Sequence, residues 1–217
     1  MKRIADCFLY GIVDLGYVLD RNVGLVTSQL VAGGIDVLQI RAKGRSKPEI
    51  ADLALAMLPI TKPAGVLLII NDHPDLLRDV AADGCHVGQE DLGVAEARDL
   101  AGRPCIVGKS THSLQQAESA EREGADYIGF GPLFPTATKP SAVAVGLDQL
   151  AELHRTINLP VFCIGGVKLG NLREVVGAGA RRVCIVSDLV CASDVQAHTA
   201  AVKAELSIHH SKQGRYC

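Results

Sequence analysis

Runs of β-forming residues recur along the whole chain: FLYGIVD (8–14), DVLQI (36–40), GVLLII (65–70), GCHVG (84–88), PCIVG (104–108), DYIGF (126–130), PVFCIGG (160–166) and RRVCIV (181–186). Between them lie segments with helical spacing of apolar residues, among them Pro48 to Leu58, Val94 to Leu100, Ser113 to Glu123, Leu147 to Ile157 and Asp194 to Leu206. Strands separated by helices pair in parallel, because the helix carries the chain back to the edge where the strand began. Eight such units in 217 residues leave roughly 27 residues for each, compact but sufficient for a (β/α)8 TIM barrel. The competing arrangement is an open doubly wound sheet. Its usual mark, GxGxxG after the first strand, is missing after FLYGIVD. The expected fold is therefore α/β, a single-domain (β/α)8 barrel over residues 1–206. The polar stretch SIHHSKQGRYC (207–217) is expected to be a flexible tail with its two histidines in solvent.

Local signals agree with this division. Pro48 suits a first helical turn behind a Ser46 cap. Ser113 and Gln116 have the spacing of a capping box. GGIDVLQI, ADGCHVG, EGADYIGF and AGARRVCIV each run from a helix-ending glycine into a strand.

Composition narrows the function. A formal net charge of -2 and 4% aromatic residues supply neither the electrostatic footprint of nucleic-acid binding nor a base-stacking platform. No apolar stretch is long enough to span a bilayer. Met1 to Asp14 is too short, and too interrupted by Asp6 and Asp14, for a signal peptide. The seven cysteines include no CxxC pair. Cys85, Cys105, Cys163 and Cys184 sit in apolar runs and are expected to be reduced, chemically silent core thiols of a cytoplasmic protein.

In a parallel barrel, chemistry comes from the carboxyl ends of the strands. After strand two, Gln39, Arg41 and Lys43 lie two apart and share one face, with Leu38 and Ile40 on the other. Three polar groups aimed inward form a cationic wall; the alternative is a solvated strand end. Strand three ends in Asn71-Asp72, which reads equally as a ligand site or as an Asx turn before Pro74. Strand four leads to Asp91, and Asp72 with Asp91 suits one Mg²⁺ that shares its shell with substrate phosphate oxygens. His86 is read as either a structural or a catalytic histidine. After strand five, Gly108 followed by Lys109, Ser110 and Thr111 is expected to let backbone N–H groups approach a phosphate. Strand six opens into YIGFGPLFPTATKP (127–140), with Thr136, Thr138 and Lys139. Gly165-Gly166 after strand seven and Val186-Ser187 after strand eight stand where barrels commonly bind phosphate. The set contains two anion sites, one for a diphosphate and one for a monophosphate, and no activated nucleophile. That combination suggests group transfer with loss of pyrophosphate.

Taken together, QIRAK, IIND, HVGQEDL, GKSTH, DYIGFGPLFPTATK, CIGGV and CIVS resemble the thiamine-phosphate synthase family, in order over residues 8 to 190. The resemblance implies condensation of 4-amino-5-hydroxymethyl-2-methylpyrimidine diphosphate with hydroxyethyl-methylthiazole phosphate, plain or carboxylated. It implies thiamine phosphate and pyrophosphate as products, and a dissociative mechanism assisted by Mg²⁺. By position, Gln39, Ile40, Arg41, Ala42, Lys43, Asn71, Ser110 and Lys139 would bind the pyrimidine diphosphate. Asp72 and Asp91 would bind Mg²⁺. Thr136, Ala137, Thr138, Gly166, Val186 and Ser187 would bind the thiazole phosphate. Lys139, Arg41, Lys43 and Ser110 would carry the catalysis.

The sequence departs from the family where Ala42 stands for a common acidic residue and His73 for a common arginine. Lys109 often has a smaller or apolar counterpart there. Alternatives are a thiazole tautomerase-like relative, a non-catalytic sensor of thiamine precursors, and a phosphosugar isomerase or epimerase. Expected partners are small-molecule substrates, with neither nucleic acid nor membrane. The sequence leaves the oligomeric state open, a homo-oligomer included.

Overall fold

The structure, a computed structural model, describes residues 2–136 and 143–213. Eight parallel strands close into a barrel in sequence order: β1 (Leu9–Asp14), β2 (Val37–Arg41), β3 (Leu67–Asn71), β4 (Gly84–Val87), β5 (Ile106–Thr111), β6 (Tyr127–Phe130), β7 (Val161–Ile164) and β8 (Arg182–Ile185). β8 pairs back onto β1 through Tyr10 and Cys184, so no strand edge is left open. Helices follow the strands: α1 (Leu15–Val18) and α2 (Val23–Ala32) after β1, α3 (Lys47–Thr61) after β2, and α4 (Val94–Ala101) after β4. α5 (Leu114–Arg122), α6 (Leu150–Thr156), α7 (Leu172–Gly177), α8 (Ser187–Val190) and α9 (Val195–Gln213) complete the outer layer. β3 is followed by a 3₁₀ turn (Pro74–Arg78) instead of a helix.

The helices start where their caps dictate. The Ser46 backbone N–H and hydroxyl both donate to Glu49, at 2.8 and 2.7 Å, and Pro48 occupies the first turn of α3. Ser113 accepts from the Gln116 N–H at 3.2 Å while the Gln116 side chain accepts from the His112 N–H at 2.8 Å. Strand alternation then splits the core in two. Leu38, Ile40, Leu68 and Ile70 face the helices, whereas Tyr10, Ile12, Val37, Leu67, Ile69, Tyr127 and Phe162 fill the barrel interior.

At the amino end of the barrel, Asp36 accepts from the backbone N–H groups of Phe8 and Leu9, at 3.0 and 2.9 Å. It also pairs with Lys2 at 2.7 Å and with Lys203 of α9. Burial pushes the Asp36 carboxyl up, but the bonds from Lys2, Lys203 and the two backbone amides outweigh it and hold the group below its usual range.

The structure differs from the sequence expectations in three places. β5 continues through Lys109, Ser110 and Thr111, so these residues form a strand and not a phosphate-binding loop. α9 runs to Gln213, past the Leu206 boundary, so the tail expectation gives way to helix over its first seven residues. Cys85, Cys163 and Cys184 are buried, but Cys105 precedes β5 and is only half-buried. Hydrogen bonding from the Cys85 thiol holds the Cys105 thiol below its usual range. Among the described residues, no helix is long and apolar enough to cross a membrane.

Candidate active site

The carboxyl ends of the strands surround one cleft, whose lining includes Gln39, Arg41, Asn71, Ser110, Thr136, Gly166, Val186 and Ser187. β2 delivers its side chains by alternation. Gln39 and Arg41 turn into the barrel, while Ile40 and Ala42 pack against the helices at 1% and 7% exposure. Only the backbone of Ile40 and Ala42 is therefore in position to serve a ligand. Each cation of the expected wall is matched by a carboxylate. Arg41 pairs with Asp14 of β1 at 2.5 Å, and Lys43 pairs with Asp72 at 2.5 Å. Pairing offsets the cost of holding the partly buried Arg41 guanidinium away from bulk water.

Beneath the cleft, a hydrogen-bonded series crosses the barrel. Gln39 Nε2 donates to Tyr10 Oη at 2.9 Å, and Tyr10 Oη lies 3.0 Å from Tyr127 Oη. Tyr127 Oη lies 3.1 Å from His86 Nδ1, and His86 Nε2 lies 2.9 Å from Ser110 Oγ. Phe162 braces the two tyrosines edge-on, with ring centroids 5.2 and 5.6 Å away. Gly108 makes room for this arrangement: a Cβ there would lie 2.1 Å from Tyr127 Cζ. Its smallness therefore serves a tyrosine ring and not a phosphate. Lys109, of opposite parity to Ser110, points out of the barrel and donates to the Leu92 carbonyl at 2.9 Å.

The far wall is built by the loops after β6, β7 and β8. Gly166 sits at φ +66 and packs its α-carbon where a Cβ would meet Phe134 at 2.7 Å. Thr136, Gly166 and Ser187 line both the main cleft and an adjoining pocket that also takes in Lys168 and Asn171. Val186 stands just before α8 and Ser187 opens it. Ala137, Thr138 and Lys139 lie outside the described residues.

Asp72 follows β3 at φ +61, a left-handed conformation that Asp adopts more readily than most residues. Its N–H is held by the His86 carbonyl at 2.9 Å. Asp91, after β4, accepts from the Gly88 N–H at 2.7 Å. Lys43, Asp72 and Asp91 are not part of the cleft lining.

A family model for thiamine monophosphate synthase matches residues 9–189. The chain belongs to the thiamine monophosphate synthase family. It is 42% identical over 208 residues to a thiamine-phosphate synthase of Pelotomaculum thermopropionicum, covering 95% of each chain. It is 40% identical over 213 residues to the thiamine-phosphate synthase of Chloroflexus aurantiacus, covering 98% of each. Its fold matches that of a thiamine phosphate pyrophosphorylase from Pyrococcus furiosus with a TM-score of 0.85 and 29% identity, over 94% of this chain and 96% of that one. Membership makes the chain an enzyme, a transferase of thiamine biosynthesis.

The residues present fit the Mg²⁺ expected in this family. Asp72 and Asp91 are hard oxygen donors at the ends of adjacent strands, and Asp72 already attracts the Lys43 ammonium. Two carboxylates would supply a half-shell and not a cage: among the described residues, no group of three or more His, Cys, Asp or Glu side chains is placed to hold a metal. Such a site suits an ion that keeps water and substrate oxygens as its remaining ligands. Sequence reasoning missed Asp14, Tyr10, Tyr127, His112 and Phe162, all of which line the cleft. His112 donates through Nδ1 to the Gly131 carbonyl and so ties the end of β5 to the loop after β6.

Proposed function

We propose that this family member joins 4-amino-5-hydroxymethyl-2-methylpyrimidine diphosphate to hydroxyethyl-methylthiazole phosphate, plain or carboxylated, releasing pyrophosphate. The observation that carries the reading is the layout of one cleft. Arg41, Asn71 and Ser110 line one part of it, while Thr136, Gly166 and Ser187 line another part that continues into a second pocket. Two phosphorylated molecules seated there would meet over a floor of Ile12, Phe162 and Ile164.

In this reading the pyrimidine methylene C–O bond breaks first, and its electron pair leaves with the diphosphate. The aminopyrimidine ring delocalises the positive charge left on the methylene carbon. The thiazole nitrogen then donates its lone pair to form the C–N bond. Arg41 and Lys43, joined by Lys139, offset the charge that builds on the leaving oxygens. Ser110 and Gln39 orient the ring, and the apolar floor keeps water from the cation. Asp72 and Asp91 would hold Mg²⁺, which when bound supplies positive charge to the diphosphate. No protein nucleophile is needed.

The experiment is product analysis by mass spectrometry after mixing the protein with both substrates and Mg²⁺. Thiamine phosphate is expected with both substrates and with neither alone. Tight binding of both without any product would assign the chain to precursor sensing and overturn the proposal.

A further inference from the structure

The five residues of the series beneath the cleft come from five different strands: Gln39 from β2, Tyr10 from β1, Tyr127 from β6, His86 from β4 and Ser110 from β5. Its ends, Gln39 and Ser110, both line the cleft, yet no bond joins them directly. We infer that Tyr10, Tyr127 and His86 are positioning residues that set Ser110 as a hydrogen-bond donor toward the cleft, with the polarity imposed by the Gln39 amide.

The inference is proton counting. A phenol carries one proton and can donate once; a neutral imidazole donates from one nitrogen and accepts at the other. Gln39 Nε2 donates to Tyr10, so Tyr10 passes its own proton to Tyr127. Tyr127 in turn donates to His86 Nδ1, which leaves the imidazole proton on Nε2, facing Ser110 Oγ. Ser110 accepts that proton and keeps its own for a ligand. If any middle bond ran the other way, two donors would converge on one oxygen and one buried hydroxyl proton would have no acceptor in the series. Tyr10 and Tyr127 are 2% and 1% exposed, so leaving that proton unpaired would be costly. Burial also pushes both phenols far above their ordinary range, so neither loses its proton at working pH.

The substrate half of this inference rests on the proposed pyrimidine diphosphate reading; the proton order does not. A preset donor at Ser110 selects a ring that offers an unprotonated acceptor nitrogen. An aminopyrimidine has one beside its amino group. Its oxo counterpart carries an N–H there and would meet donor with donor. The three inner residues thereby become specificity determinants, although none has to touch the reacting carbon.

The first arm of the test needs no substrate. With ¹⁵N-labelled histidine, and His86 assigned from His86→Gln, the wild-type protein should show His86 as the Nε2–H tautomer alone. Tyr10→Phe, two bonds away from the imidazole, should yield a mixture of both tautomers. Gln39→Leu removes the same polarity source and serves as the second variant. An Nδ1–H tautomer in the wild type, or unchanged tautomer populations in both variants, would overturn the inference.

The second arm compares the aminopyrimidine diphosphate with its oxo counterpart as ligands. The wild-type preference for the amino form should fall about tenfold in Tyr10→Phe and Tyr127→Phe, the scale of one misdirected hydrogen bond. Affinity for inorganic pyrophosphate should stay the same. Loss of affinity for both rings in equal measure would mean a merely structural role and would overturn the specificity claim. If the tautomer arm holds while the wild type binds neither ring, the pyrimidine reading fails and the proton order stands.

Discussion

Asp72 is held at φ +61, a conformation that costs a residue with a β-carbon of order 1 kcal/mol. Glycine would relieve that strain, so a purely structural position would favour it. The carboxylate instead faces Lys43 and stands beside the proposed diphosphate site. Asp72→Gly should therefore leave the thermal midpoint unchanged or raise it, while turnover falls and the Mg²⁺ titration flattens. Parallel melting curves and Mg²⁺ titrations decide this; a lowered midpoint with normal turnover would assign Asp72 to folding alone. Lys139 lies outside the described residues, and its role rests on the sequence and the proposed chemistry. A cation that offsets leaving-group charge works most in the transition state. Lys139→Ala should thus cut single-turnover rate by roughly 10²–10³ and leave thiazole phosphate affinity nearly intact. A loss of only a few-fold would remove Lys139 from the leaving-group machinery.

β5 and β6 meet in register at Gly108 and Tyr127, and the tyrosine ring lies over the glycine. Gly108→Ala would drive a methyl group into that ring and should lower stability by about 1–3 kcal/mol, the usual cost of overpacking. In a Tyr127→Ala background the same substitution should cost almost nothing, because the clashing ring is gone. Denaturant unfolding of the four proteins of this cycle tests the contact; equal penalties in both backgrounds would show that Gly108 answers to something else. The same pair marks the limit of what the sequence discloses. β2 was legible because its polar residues alternate with Leu38 and Ile40, a period that only a strand explains. Alternating polarity also placed Gln39 and Arg41 inside the barrel. Tyr10, Tyr127 and Phe162 sit inside apolar runs, where an inward aromatic and a helix-facing one read alike. Asp14 caps α1 through the Gly16 N–H as well as pairing with Arg41, and its capping role alone would account for an Asp at that point. GKST read as a glycine-led loop because its partner across the strand pair, Tyr127, is 19 residues away in sequence.

The barrel as a whole is sealed at the end opposite the cleft by Asp36, which gathers β1, Lys2 and α9 around one buried carboxylate. Its folded-state pKa lies below the unfolded one, so the unfolded chain binds more protons in acid. The stabilisation is complete above the unfolded value of about 3.9 and is lost as pH falls through the folded value. Asp36→Asn should cost about 3 kcal/mol at neutral pH, since it leaves two lysines without their carboxylate, and should flatten the acid limb of the stability curve. Unfolding free energies between neutral and acid pH check both; an unchanged acid limb would remove Asp36 from the acid response. With that end closed, chemistry is confined to the mouth, where the two proposed anion sites share one cleft. The decisive quantity there is the stoichiometry of pyrophosphate release, followed continuously with each substrate alone and with both together in the presence of Mg²⁺. Joining of the two substrates requires one pyrophosphate per thiamine phosphate and none from the pyrimidine diphosphate alone beyond a slow leak. Rapid release without the thiazole phosphate, or none with both substrates bound, would mean that this cleft does not perform the transfer.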